Sequence, residues 1–565
     1  MPVPPTHRTG RYPGGMSVRR FLLTRLGRLA AYPIHRRIAA FVRACDDPER
    51  VQTELLGRIL VRQRDTAFGR DHGFPSFHTL ADYRKAVPIA PYEALAPYIE
   101  REANGERGAL IAGDRVRLFA LTSGTTAARK LIPVTDTYLA DYRRGWNMWG
   151  ARAYRDHRGK GLFLRALVQM VGDPDEYRTP AGIPCGNLTG FTAIHQKWFV
   201  RKLYAVPPEC GKISDATARY HVALRFALPR DCALFLAANP STLIALGRAL
   251  DARKESLLKD VHDGTLDPTL DLPPAIRRVL TARLQPNPER ARELSAVADK
   301  LGRLYPQDVW APERSLVGTW TGGSMGPYLR QVPTYFGRPV VRDLGLLASE
   351  GRMTIPFAND TPAGVLDVWS HFYEFVPEAE AESATPITLM AHELEDGQSY
   401  FLVPTTASGL YRYQLSDLVR VRGFLGRTPL VEFLGKGRRF ANLTGEKLSE
   451  PQVLQAMAAT GAGLTGYVLA PVWDEVAPHY GLFVEASDAT GLETLATTLD
   501  RELGERNVEY ASKRASGRLG PVRGRVVPAG FFARFDRDRL ATTGGSPEQY
   551  KRPCLVGELG FAGGG

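Results

Sequence analysis

The sequence predicts an α/β protein with a large N-terminal domain and a smaller C-terminal one. Three observations predict it. At 565 residues the chain is too long for one compact core. Helical spacing near the start gives way to strand-like segments that crowd residues 316–434. After Gly435 the texture changes to alternating strands and helices, and the cluster Gly435-Lys436-Gly437-Arg438-Arg439 reads as a hinge. The boundary therefore falls between residues 1–434 and 435–565.

Residues from about 17 to 65 carry apolar positions at helical spacing, through Ile38-Ala39-Ala40-Phe41-Val42 and Leu55-Leu56-Gly57-Arg58-Ile59-Leu60. The first 45 residues hold nine arginines and no acid. Arg25, Arg28, Arg36 and Arg37 interrupt what an export signal would need as its apolar core. A basic amphipathic helix or two packed on the main domain is expected, and residues 1–15, rich in Pro, Gly and Arg, are expected to be dispensable. The run Val116-Arg117-Leu118-Phe119-Ala120-Leu121 predicts a strand entering a small-residue loop. Asn287-Pro288-Glu289 predicts a helix start, with Asn as N-cap and Pro at the first helical position. Tyr400-Phe401-Leu402-Val403, Leu410-Tyr411-Arg412-Tyr413, Gly466-Tyr467-Val468-Leu469 and Val522 to Val527 read as strands.

Composition excludes several classes. No segment approaches a membrane-spanning length, so no stable membrane insertion is expected. Five scattered cysteines without a CxxC pair read as reduced cytosolic thiols, which places the protein in the cytoplasm, and no Cys/His cluster has zinc-ligand spacing. The net charge of +13 suits a polyanionic ligand, but no nucleic-acid motif accompanies it, so nucleic acid is not expected as a partner.

Three segments carry candidate chemistry. Thr122-Ser123-Gly124-Thr125-Thr126-Ala127-Ala128-Arg129-Lys130 has hydroxyls, backbone amides, a permissive Gly124 and the charge of Lys130, the ingredients of a phosphate cradle that is not a Walker A loop. Asp417 ends the segment Tyr411-Arg412-Tyr413-Gln414-Leu415-Ser416-Asp417, and its two oxygens can accept from both hydroxyls of a ribose. Ser349-Glu350 follows the apolar run Leu344 to Ala348; the pair suits an α-phosphate and a magnesium ion, or simply caps a helix. Gly461-Ala462-Gly463-Leu464-Thr465-Gly466 spells a dinucleotide fingerprint, but a helix precedes it and a strand follows, so it reads as a connecting turn.

These segments, in this order, resemble the adenylate-forming superfamily and, more narrowly, its auxin-responsive Gretchen Hagen acyl-acid amido synthetases. The likeness also rests on Thr66-Ala67-Phe68-Gly69, Pro91-Tyr92-Glu93, Thr321-Gly322-Gly323-Ser324-Met325-Gly326-Pro327-Tyr328, Gly445-Glu446-Lys447-Leu448-Ser449-Glu450, Asn507-Val508-Glu509-Tyr510 and Gln549-Tyr550-Lys551, and spans nearly the whole chain. The resemblance implies an adenylate-forming α/β fold, with mixed α/β subdomains in the large domain. The small domain would be a mobile α+β unit, a sheet with helices on one side.

It further implies that Ser123, Gly124, Thr125 and Thr126, with Lys130, hold the ATP phosphates. Thr321, Gly322, Gly323 and Ser324 would border the adenine, Ser349 and Glu350 would face phosphate and Mg²⁺, and Asp417 would hold the ribose. Lys447 and Lys551 would reach the phosphates as catalytic groups. Two departures stand out: Ala127 and Ser416 occupy positions where such loops commonly have Gly. The implied activity turns a carboxylic acid into its acyl-AMP and passes the acyl group to an amine, normally an amino acid, in a monomeric enzyme. Thioester formation with coenzyme A, or a binding protein that kept the fold, are the alternatives. The acyl pocket is expected within residues 141–235.

Overall fold

Four short strands, Ala166–Gln169, Cys232–Leu236, Leu316–Gly318 and Val340–Arg342, pair side by side in parallel in this computed structural model, which describes residues 32–122, 130–437, 440–485, 489–543 and 552–561, apart from 382, 384, 463 and 465. Their side chains are largely buried, Cys232–Leu236 at every position, as expected for a parallel sheet covered on both faces. The helices Ala216–Ala227 and Pro240–Ala252 supply part of that cover. Asn239 caps the second through its Oδ1, which accepts from Ser241 N at 2.8 Å, with Pro240 at the first helical position. Asn287 does the same for Pro288–Leu301, as its sequence predicts.

Two further sheets complete the large part of the chain. Val116–Thr122 and Lys130–Thr135 form an antiparallel hairpin within a four-stranded sheet. Six antiparallel strands, in the order Thr354–Ile355, Gly364–Leu366, Thr428–Lys436, Asp417–Leu425, Ser399–Thr406 and His371–Pro377, make the other. Of the basic N-terminal segment only residues 32 onward are among those described; residues 32–44 are helical, and Ile38 and Phe41 enter the core. The buried Gln52 of Pro48–Gln63 donates to the Val368 and His371 carbonyls, both at 2.8 Å, and accepts from Tyr373 N.

Leu410 to Tyr413, expected to be a strand, is not one. Arg412 has φ +41° and turns its guanidinium into the interior, where Nε meets Glu374 Oε2 at 2.8 Å and Nη1 donates to Val87 O at 2.8 Å. Glu374 is fully buried and also receives Arg84 at 2.8 Å. A tertiary ion pair thus overrides the strand propensity of Leu and Tyr. Asp417 consequently begins a strand rather than ending one.

The small domain is a three-stranded sheet of Tyr467–Val472, His479–Glu485 and Arg523–Val527. Alternate residues face opposite ways: Leu469, Leu482 and Val484 pack beneath Glu450–Ala459, Leu492–Arg506 and Val508–Ala515, whereas Val468, Ala470 and Phe483 pack against Phe532, Val556 and Phe561. Both faces are therefore covered, not one, because Tyr467–Val472 and His479–Glu485 are buried and apolar at consecutive positions, whereas the edge strand Arg523–Val527 is largely exposed. The Gly461–Gly466 segment joins a helix to a strand, as its order of elements predicts.

Removing Arg412 should leave the buried Glu374 carboxylate to Arg84 and Thr388 alone. Arg412→Met is expected to cost about 3 kcal/mol in denaturant unfolding, the low end for breaking a buried pair, and Arg412→Met with Glu374→Met should recover most of that loss.

Candidate functional site

The carboxyl ends of the parallel strands release three loops at one edge, the usual place for a ligand crevice in such sheets. Cys232–Leu236 leads to Asn239, Leu316–Gly318 to Thr321–Ser324, and Val340–Arg342 to Asp343 and the hairpin that carries Ser349 and Glu350.

Asp343 organises this edge. Its carboxylate accepts from Thr321 N at 2.6 Å, Thr321 Oγ1 at 2.7 Å and Gly345 N at 2.6 Å. Burial pushes its carboxyl up to about 6 despite these donors. The loop then passes tightly over the strand Thr428–Lys436. A Cβ on Gly322 would lie 2.9 Å from Phe433 O, and Gly323 has φ +60° beside Phe433 and Leu434, so both positions suit glycine. Ser324 continues this turn into the helix Gly326–Phe336.

The same strand end receives Asp417, whose register partner is Lys436. Asp417 is buried, and the preceding Ser416 has φ +62°. Serine thus takes the left-handed conformation that explains why glycine is common there.

Ser349 and Glu350 form the two-residue turn between Leu347–Ala348 and Gly351–Arg352; this is a hairpin, not a helix cap. The Tyr138 hydroxyl donates to Ser349 O at 3.0 Å. Glu350 is buried and accepts from the Tyr413 hydroxyl. Burial first, then the charges of Glu350 and Glu93 and the Tyr92 ring's hydroxyl, hold Tyr413 well above the usual phenol range. Tyr92 connects this cluster to Lys130: its hydroxyl accepts from Leu131 N at 2.9 Å, and Lys130 Nζ stands 5.4 Å from its ring centre. Thr122 pairs with Lys130, which fixes both ends of the candidate phosphate loop. Ser123, Gly124, Thr125, Thr126 and Ala127 lie outside the described residues, as does Lys551.

Lys447 enters from the small domain. It stands at φ +48°, next to a clamp built by Glu446. The Glu446 carboxylate accepts from Leu443 N at 2.6 Å, Thr444 N at 2.7 Å, Thr444 Oγ1 at 2.8 Å and the Tyr480 hydroxyl, and Asn507 Nδ2 holds its carbonyl at 3.0 Å. Burial works against the Lys447 charge, but Glu509, Glu350 and Asp417 together raise it above the ordinary lysine range. Lys447 therefore lies in the field of two carboxylates of the large domain and is not a solvated surface charge. Among the described residues no group of three His, Cys, Asp or Glu side chains could hold a metal alone, and no helix is long and apolar enough to cross a membrane. The cysteines are all free and buried.

Comparison with known families matches the GH3 family N-terminal domain to residues 37–340, its central domain to 364–436 and its C-terminal domain to 451–559. The chain belongs to the GH3 family. Curated relatives include jasmonoyl–L-amino acid synthetase JAR6 of Nicotiana attenuata, 24% identical, with 90% of this chain and 91% of that one covered. Indole-3-acetic acid-amido synthetase GH3.8 of Oryza sativa subsp. indica is 26% identical over 90% of this chain and 88% of its own. Among solved structures, GH3.15 acyl acid amido synthetase shares the fold at a TM-score of 0.63 and 21% identity, covering 91% of this chain and 93% of that one. The GH3 chain described here is accordingly a ligase that forms amide bonds through an acyl-adenylate.

Sequence reasoning missed Tyr92, Tyr138, Asp343 and Tyr413 as site groups, and gave Glu446 and Glu509 no role although both lie in motifs that carry the resemblance. A tyrosine gives no local signal that its hydroxyl will meet a carboxylate from a distant loop. Asp343 offered one weak signal, as an acid directly after a β-branched run.

The Asp343 clamp titrates in an accessible range. All three of its partners donate, so the loop geometry needs the ionised form. As pH falls through about 6, emission from the adjacent Trp320, whose Nε1 donates to Gly345 O at 2.9 Å, should change. The transition should vanish in Asp343→Asn and in Trp320→Phe. Because the folded value is raised, protonation itself adds stability as pH falls from about 6 toward the unfolded value of about 3.9, so the change should occur without unfolding.

Proposed function

We propose that ATP lies across the edge formed by Thr321–Ser324, Asp417 and the Ser349–Glu350 turn, and that this GH3 enzyme couples a small carboxylic acid to an amino acid. The observation that carries the reading is that Glu350 and Asp417 of the large domain both act electrostatically on Lys447, beside the glycine-rich loop Thr321–Ser324 packed on the strand Thr428–Lys436 that pairs with Asp417. Thr321–Ser324 would border the adenine, and Asp417 would accept from the ribose hydroxyls. Ser123, Gly124, Thr125 and Thr126, with Lys130, would donate to the phosphates. Glu350 fits a magnesium ion, because one buried carboxylate beside nucleotide phosphates is a common way to hold this hard cation. When bound, the ion neutralises phosphate charge as the pyrophosphate leaves. The free buried thiols support residence in the cytoplasm.

A carboxylate is a poor electrophile. Its attack on the α-phosphorus forms a C–O–P linkage and expels pyrophosphate, giving the acid a good leaving group. Negative charge that builds on the phosphates in that step would be met by Lys447, and by Lys551 as the resemblance implies, since cations placed where charge develops lower the barrier. The neutral amine of the acceptor then attacks the acyl carbon, forming the C–N bond as the C–O bond to AMP breaks; the amine loses a proton, and AMP departs with one former carboxylate oxygen. One named relative is a jasmonoyl–L-amino acid synthetase and the other an indole-3-acetic acid-amido synthetase, which supports an amine over coenzyme A as acceptor. Release of pyrophosphate across a library of acids, with amino acids and coenzyme A supplied in parallel, tests this directly: amide products support the reading, and thioesters alone overturn it.

The two half-reactions should separate at Lys551, on a small domain that we infer rotates between them. Lys551→Ala should reduce acid-dependent ATP–pyrophosphate exchange by roughly 10²-fold or more, comparable to the loss of one oxyanion donor. Supplied with a synthetic acyl-adenylate, the same variant should still transfer the acyl group at near the normal rate. Equal loss in both steps would make Lys551 structural.

A further inference from the structure

The three most exposed aromatic side chains among the described residues are Trp198 at 69%, Tyr32 at 63% and Phe199 at 52%. Trp198 and Phe199 stand side by side on the single-turn helix Trp198–Arg201, within the run Lys197-Trp198-Phe199-Val200-Arg201-Lys202. Cations of this run lie over the rings: Lys202 Nζ is 4.7 Å from the Trp198 ring centre, and Lys197 Nζ is 6.0 Å from that of Phe199. Single exposed apolar residues need no explanation, but two adjacent large aromatics rimmed by three cations mark an interaction surface.

A basic groove lies beside this pair. The helix of residues 32–44 exposes Arg36, Arg37 and Arg43, which line an open groove with Ala140, Arg144 and Trp369, and no carboxylate lines it. Arg144 has acid partners behind it, Asp141 at 2.5 Å and Asp367 at 3.8 Å, and its Cζ stands 5.7 Å from the Trp369 ring centre. Among the described residues no carboxylate comes within salt-bridge distance of Arg36, Arg37, Arg43, Lys197, Arg201 or Lys202. Burial first, then the charges of Arg155 and Arg158, lower His35 from its usual value, so the positive field continues along the same helix. The chain before residue 32 adds six arginines and no acid that could neutralise the groove. The helix Asp136–Asp156 joins the two features. Ala140 and Arg144 line the groove, and Arg143 reaches the segment that leads into Lys197, its Nη2 donating to His195 O at 3.2 Å. Positions 140, 143 and 144 share one helix face, so the groove and the aromatic pair flank the same surface.

We infer that this face docks on an anionic lipid bilayer, with Trp198 and Phe199 seated among the headgroups and Arg36, Arg37, Arg43, Lys197, Arg201 and Lys202 against the lipid phosphates. Charge complementarity selects an anionic occupant, since six cations here have no acid to satisfy them. The aromatic pair selects a bilayer over a soluble polyanion. The two rings stand at 90° with 6.0 Å between centres, and each has a lysine over one face, which leaves no platform on which bases could stack. Aromatic rings at headgroup depth with Lys and Arg reaching to the phosphates are the arrangement that a membrane interface favours. A folded protein would need a cavity shaped to this pair, whereas a bilayer takes it without one. The contact is peripheral, because no helix among the described residues is long and apolar enough to cross a membrane.

The experiment is sedimentation of the full-length protein with vesicles of phosphatidylcholine alone and of phosphatidylcholine mixed with phosphatidylglycerol. Binding is expected only to the anionic vesicles, and it should weaken as salt shortens the Debye length. Each Lys or Arg near such a surface strengthens attachment by roughly five-fold, so Arg36→Gln, Arg37→Gln and Arg43→Gln combined should weaken it by roughly 10²-fold. The matching three Arg→Lys changes should bind like the wild type. Trp198→Ser with Phe199→Ser should weaken binding by roughly 10-fold or more, as two apolar side chains stay in water. Vesicles with brominated acyl chains should quench part of the tryptophan emission, and Trp198→Phe should remove that quenching while binding persists. All these positions are exposed, so thermal unfolding midpoints should match the wild type and separate lost docking from lost folding. Absence of binding to the anionic vesicles overturns the inference. Binding that survives the triple arginine change unaltered also overturns it, and moves the contact to the chain before residue 32. Duplex DNA bound as tightly as the vesicles, with no loss in Trp198→Ser with Phe199→Ser, would make the face a polyanion site instead.

Discussion

The arrangement depends on one electrostatic coupling: the charges of Glu350 and Asp417 in the large domain favour the charged form of Lys447 in the small one. A part-buried cation is expensive to desolvate unless anions compensate it, and here the compensation comes from across the domain boundary, with Glu509 supporting from its own side. The coupling joins the candidate metal-binding and ribose-binding carboxylates to one charge of the small domain. Glu446 makes the coupling possible by fixing the loop from Leu443 to Lys447 with its carboxylate, so that Lys447 is presented at φ +48° instead of wandering on a long side chain. A nucleotide that brings phosphates to this place would exchange carboxylate partners of Lys447 for phosphate oxygens, which is how a domain contact can become a catalytic one.

Much of this was legible in the sequence, and the reasons are physical. The strand Val116–Thr122 announces itself by an apolar run ended by small residues, and the helix at Pro288 by a capping Asn and a first-turn Pro; both signals are local, and both elements form. Leu410–Tyr413 was illegible because what decides its conformation is a buried carboxylate at position 374. Lys447 read alone is an ordinary surface lysine, since the three acids that enclose it lie at 350, 417 and 509. Its role came only from the ordered set of motifs. Ser416 is the instructive departure: the left-handed conformation persists without the glycine, so the position is set by the sheet register of Asp417 and not by the residue before it.

The two chemical steps ask opposite things of one cleft. Adenylation needs cations around the phosphates and exclusion of water, whereas aminolysis needs a path for a second substrate to the acyl carbon. The covered second face of the small sheet, with Phe532, Val556 and Phe561, gives that domain a core of its own on both sides of the sheet.

The account turns on a covalent acyl-adenylate, and the carboxylate oxygens record it. With an acid labelled with ¹⁸O at both carboxyl oxygens, an amino-acid acceptor and unlabelled ATP, mass spectrometry of the products should find one ¹⁸O in AMP and one in the amide carbonyl. Label in inorganic phosphate with ADP as coproduct, or AMP free of label, would contradict it.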